Sequence, residues 1–142
     1  MPDKFPAEAR KIMEERFSCD SLIALATIDG NAPAVRAVNS YYEDGCFYII
    51  TYAKSNKMLQ IEKNPAVSIC GDWFTAGGTG ENLGHVLLSE HTEIMDKLRA
   101  VFAEWYGDGH VNEADENTVL LRIRLTRGTL FSNGTRYDID FT

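Results

Sequence analysis

The chain has 142 residues, 44% of them hydrophobic and 11% aromatic, which excludes a disordered chain and suffices for one ordinary core. A formal net charge of −7 excludes general affinity for nucleic-acid backbones, so any anion bound here is a single small one met by a local cluster of cations. Cys19, Cys46 and Cys70 form no CxxC pair, and no run approaches the ~18 apolar residues of a membrane span. The start, MPDKFPAEAR, lacks the apolar segment of a secretion signal. A cytoplasmic, soluble protein without disulfides, metal, nucleic-acid or membrane partner is expected.

Pro6 opens a first helix near 6–17, with Ala9, Ile12, Met13 and Phe17 at helical spacing. Three antiparallel strands follow at about 21–28, 33–41 and 46–52, separated by the hairpin signals Asp29-Gly30-Asn31 and Glu43-Asp44-Gly45. A short helix over 55–63 stops at Asn64-Pro65. AVSICGDWF reads as a fourth strand at about 66–74, TAGGTGENLG as a flexible loop, and HVLLS as a fifth strand. A long helix near 90–106 carries the stripe Ile94, Met95, Leu98, Val101, Phe102 and Trp105, either core or dimer contact, and ends at Gly107. After the acidic loop GDGHVNEADENT, TVLLRIRL alternates strictly, and TLFS and TRYDID complete the sheet around Asn133-Gly134. Six or seven antiparallel strands with few helices predict one mainly β domain over 1–142: a β-barrel with flanking helices.

One cluster promises chemistry. Lys54 and Lys57 lie at the start of the short helix, where the backbone already carries positive charge and disfavours them. Ser55 is placed to cap that helix with its hydroxyl. Free amides, a hydroxyl and Lys57 make a phosphate site, strengthened by Thr51 and by Arg36, which shares a strand face with Ala34 and Val38. The alternative is that both lysines are solvated and Arg36 pairs with Glu43 or Asp44. His85, His91 and His110 lack metal-ligand spacing, and His110 beside Asp108, Glu113 and Asp115 reads as a solvated loop. Trp73 is either core or a neighbour of the ligand. No Ser-His-Asp or Cys-His constellation is present to carry catalysis.

Arg36-Ala37-Val38, Ile50-Thr51, Ser55-Asn56-Lys57, Gln60-Ile61 and Asn64-Pro65-Ala66-Val67 follow one another in an order and spacing that resembles the pyridoxamine 5′-phosphate oxidase-like family, the FMN-binding split barrels. The resemblance covers residues 33 to 73 and implies a six-stranded antiparallel split barrel, a homodimer with FMN between subunits, and a flavoprotein oxidoreductase acting on a small molecule. By the same resemblance Arg36 and Lys57 hold the FMN phosphate with Ser55 and Asn56, while Ala37, Val38, Asn39, Ile50 and Thr51 line the ribityl chain and ring. The alternative is a non-catalytic module holding flavin or haem for sensing or storage. The C-terminus, GTLFSNGTRYDIDFT, lacks the family's substrate-gripping Arg-x-His motif and argues against pyridoxamine phosphate as substrate. Length, second long helix and Gly-rich stretch resemble the smaller branch that includes nitroimidazole-resistance-type proteins.

Overall fold

The structure is a computed structural model and describes residues 3–142. Seven strands form one sheet: β1 (Ser21–Asp29), β2 (Ala32–Glu43), β3 (Cys46–Tyr52), β4 (Ala66–Gly71), β5 (Phe74–His85), β6 (Thr118–Ser132) and β7 (Thr135–Asp140). Their order is β3-β2-β1-β4-β5-β6-β7, and an added β3–β6 pairing closes six of them into an antiparallel barrel. The closed, mainly β architecture agrees with the expectation. Strand β6 is long enough to serve two partners, β3 along Thr118–Arg124 and β7 along Arg127–Ser132.

Alternation along the strands decides what fills the barrel. Ile23, Leu25 and Thr27 of β1 point inward, as do Leu121, Ile123 and Leu125 of β6, all buried. Helix α1 (Ala7–Phe17) buries Ala9, Met13 and Phe17, and the Phe17 ring meets Phe47 and Phe74 edge-on or tilted, centroids 5.6 Å apart in both cases. Helix α2 (Asn56–Lys63) packs on β1 and β5 through buried Met58 and Ile61. A second, smaller core lies outside the barrel. There Met95 and Leu98 of α3 (Thr92–Val101) and the following Phe102 pack with Val86 and Leu120.

The expected strand at 66–74 is two strands, divided at Asp72-Trp73, where Trp73 adopts φ 52°. Trp73 is 72% exposed, so the core reading fails. The Gly-rich stretch is not a loop but most of β5, bonded to β4 on one side and β6 on the other. Two of its glycines answer to crowding: a Cβ on Gly78 would come within 2.5 Å of the Arg124 carbonyl oxygen, and one on Gly80 within 2.9 Å of Ile61 Cγ2. Two register shifts along β5 bend it around the barrel. HVLLS is therefore not a separate strand; His85 ends β5 and the chain turns. TVLLRIRL and TLFS are one continuous strand, β6. The helix expected over 90–106 opens with a 3-10 turn at Ser89–His91 and breaks at Phe102 (φ −95°, ψ 14°) before the short α4 (Ala103–Tyr106).

The crowding at β5 yields a stability test. Gly78→Ala is expected to lower unfolding free energy by about 1–3 kcal/mol, because the obstructing atom is backbone and cannot rotate away. Gly107→Ala, in open space at φ −91°, should leave the midpoint nearly unchanged. Chemical denaturation of the two variants reads the difference.

Candidate functional site

Strands β2 and β3 pair at only three positions, Tyr41 with Tyr48, Tyr42 with Phe47 and Glu43 with Cys46. Beyond Tyr41 they part. β2 stays with β1 from Ser40 back to Ala32, while β3 follows β6 to Tyr52 opposite Thr118. The split leaves two facing strand edges whose outward backbone groups lack each other as partners.

Arg36 lies on the inner face of β2 with Ala34 and Val38, as its period-two spacing predicts. It does not meet Glu43 or Asp44. Its Nη1 donates to Thr27 Oγ1 at 2.6 Å and to the Leu25 carbonyl at 3.2 Å, and its Nη2 donates to Gln60 Oε1 at 3.0 Å. Thr27 in turn donates to Gln60 Oε1 at 2.6 Å. All three acceptors are neutral, so the guanidinium charge is oriented but not neutralised, and burial pushes its pKa down. Lys57, one turn before Gln60 on α2, is half-buried beside it. Its pKa is lowered first by that burial and then by repulsion from Arg36. Among the described residues neither cation takes part in an ion pair with a carboxylate.

Ser55 takes the backbone position of an N-cap, but its hydroxyl makes no cap hydrogen bond. Its Oγ is buried without any partner. An orphaned hydroxyl and the uncapped first amides of α2 thus lie at the helix end that carries Lys57. These are the donors a phosphate requires, and they fit one.

From the Lys57 side of this cluster a cavity of about 360 Å³ extends into the split, its barrel side formed by Val38, Asn39, Ile49, Ile50 and Lys57. Its far wall comes from the segment after α3: Trp105, Asp108, His110 and Val111. Nδ1 of His110 lies 2.5 Å from Asp108, whose carboxyl is held below its usual range by that contact. Of the residues singled out in the sequence, Val38, Asn39, Ile50 and Lys57 line the cavity; Arg36 and Ser55 do not line it, Arg36 acting on Lys57 through charge and Ser55 preceding the helix that carries Lys57. Ala37 points to the outer face of β2; Thr51, Asn56 and Lys54 do not line the cavity, and Asn56 and Lys54 are exposed. The solvated reading thus holds for Lys54 and fails for Lys57.

Thr27, Gln60 and the wall were not identified as site residues. Gln60 had a signal, standing one turn after Lys57 on one helix face. Thr27 and the wall depend on contacts distant in sequence. A larger concavity, about 750 Å³, lies on the outer face of β1, β4, β5, β6 and β7, but its one arginine, Arg127, faces Asp140 at 3.9 Å. It offers no unpaired positive charge.

A family profile described as pyridoxamine 5′-phosphate oxidase matches residues 9–132. The chain belongs to that family. Three solved structures share its fold. A FAD-binding protein from Mesorhizobium loti is 18% identical, with a TM-score of 0.66 over 83% of this chain and 90% of that one. A NimC/NimA family protein from Clostridium acetobutylicum is 20% identical, with a TM-score of 0.63 over 91% and 92%. A heme-binding protein from Mycobacterium smegmatis is 17% identical, with a TM-score of 0.67 over 99% of this chain but 59% of that one. At these identities the likeness is one of fold. A comparison with curated proteins returns no match.

The charge at Lys57 has a measurable cost. Since its folded pKa lies below the usual lysine value, holding it charged opposes folding in full at neutral pH. That opposition fades as pH rises through the folded pKa toward the unfolded one. Lys57→Met, which keeps the apolar stem, is therefore expected to raise the melting temperature of the ligand-free protein at neutral pH. The gain should shrink in the alkaline range, as thermal scans across pH would show.

Proposed function

We propose that this protein binds FMN in the split and acts as a flavin-dependent oxidoreductase on a small, weakly charged acceptor. The observation that carries the reading is the pair of half-buried cations, Arg36 and Lys57, side by side without a carboxylate. A buried positive pair of that kind is relieved by a dianion, and the phosphate monoester of FMN is one. Arg36, Lys57 and Ser55 would hold the phosphate, with Asn56 contributing through its helix-end amide. Ala37, Val38, Asn39, Ile50 and Thr51 would supply strand backbone and side chains to the rest of the cofactor. FMN supplies the electron and hydride chemistry when bound; the chain supplies position, charge and exclusion of water.

The reading includes a homodimer with the cofactor site between subunits. In support, the outer face of β1 and β2 presents Ala24, Ala26 and Ala37 together with Leu22 and Val35, which are 66% and 68% exposed. A second copy covering that face would remove this apolar surface from water.

Pyridoxamine phosphate is disfavoured as substrate. Besides the missing Arg-x-His motif, each C-terminal arginine already has a partner: Arg122 and Arg124 on Glu81, Arg127 on Asp140 and Arg136 on Asp138. A second phosphate would find none of these arginines free to meet it, and unpaired burial of charge costs several kcal/mol. Pyridoxal phosphate formation at about 1 per second or faster would contradict this.

The cofactor claim has a direct test. Purified protein should be yellow, its flavin reduced by a nicotinamide dinucleotide and reoxidised by an acceptor; bound but inert flavin would mean a storage or sensing module. Arg36→Ala and Lys57→Ala should each weaken FMN about ten- to a hundredfold in flavin-fluorescence titrations, each having lost a charge-assisted contact.

A further inference from the structure

Asp20, between α1 and β1, has its two carboxylate oxygens engaged by the barrel side and the far wall of the cavity. Oδ1 accepts from Asn39 Nδ2 at 3.0 Å, and Oδ2 accepts from Trp105 Nε1 at 2.9 Å. Asn39 belongs to β2 and Trp105 to the wall, and both line the cavity. The wall has other anchors, but they lead away from the split. Arg99 grips Glu113 through Nε at 2.9 Å and Nη2 at 3.1 Å, Tyr106 donates to the same carboxylate, and the His85 ring meets the Glu113 carbonyl at 2.6 Å. Behind Trp105 lies Phe102, ring centroids 4.9 Å apart and tilted by 32°. Among the described residues, Asp20 is the side chain that joins the wall to a strand of the split by hydrogen bonds.

We infer that Asp20 is a positioning residue that latches a ring-binding compartment, holding Trp105 of the wall to Asn39 of β2. The chemistry of the compartment sets the ligand class. Val38, Ile49, Ile50, Trp105 and Val111 present carbon and an aromatic ring, Asn39, Asp108 and His110 add hydrogen-bonding groups, and Lys57 supplies the one lysine or arginine of the lining. Such a slot takes a planar heteroaromatic ring by stacking and apolar contact. The inference deepens the flavin reading and rests on it for the identity of the ring, but the latch itself can be read without ligand. Asp20 touches the two lining residues rather than the ring, so its removal loosens the slot without removing any lining group.

The test uses the full chain in a Trp73→Phe background, which leaves Trp105 as the one remaining tryptophan. Asp20→Ala is expected to raise acrylamide quenching of Trp105 in the ligand-free protein. It should also weaken FMN and lumiflavin, the flavin ring without its phosphate tail, by the same factor of about ten. Lys57→Ala, in contrast, should weaken FMN and leave lumiflavin unchanged. Asp20→Asn, which keeps one of the two acceptors, is expected to show the same changes at smaller size, and it carries the test if Asp20→Ala does not fold. A folded Asp20 variant with Trp105 shielded as before, or binding lumiflavin as tightly as before, would overturn the latch. If the unmutated protein bound neither FMN nor lumiflavin, the flavin reading and the ring assignment would fall together, while the quenching result would still decide the latch.

Discussion

The parting of β2 from β3 after three residue pairs is the constraint on which the site depends. A barrel closed by full-length pairing would satisfy those backbone edges and leave no room between them. Here closure is achieved by the long β6, which takes over the pairing of β3, while β1 holds β2 along its remaining length. The two strands can separate without either losing its place in the sheet. Helix α2 follows directly from β3 and packs through Met58 and Ile61, which brings Lys57 and Gln60 to Arg36.

Charge then gives the split its polarity. In a chain of net charge −7, carboxylates are plentiful, and the arginines from Arg99 onward all sit on them. Arg36 and Lys57 are different. Arg36 is oriented by a carbonyl, a hydroxyl and an amide, none of which cancels its charge, and Lys57 bears both burial and the repulsion of its neighbour. Residual positive charge of this kind does little for the free protein and much for an incoming anion, because the cost of orienting the cations is already met before binding. The unpartnered hydroxyl of Ser55 follows the same logic.

Much of this arrangement was legible in the residues. Alternating strands such as Leu121, Ile123 and Leu125 announced the barrel, and the period-two placement of Arg36 with Val38 put the guanidinium on the inner face. What misled was local chemistry without its tertiary context. The glycines of β5 look like a loop because composition does not reveal that the Arg124 carbonyl and Ile61 leave no space for a Cβ. Ser55 has the right type and position for a cap, yet whether its hydroxyl turns to the amides is decided by its surroundings. The wall was hidden for a different reason. Trp105 and His110 reach the split from a segment more than 50 residues beyond β3, tied there by Asp20 and Glu113, and no short-range pattern encodes that meeting.

The central claim, that the paired cations of the split await the phosphate of a flavin mononucleotide, is tested most directly by comparing FMN with riboflavin. The two share ring and ribityl chain and differ only in the phosphate. Isothermal titration of the ligand-free protein at neutral pH and low salt should find FMN bound at least about a hundredfold more tightly, the minimum expected from two charge-assisted contacts. Equal affinity for the two would mean that Arg36 and Lys57 do not face the phosphate, and would contradict the account.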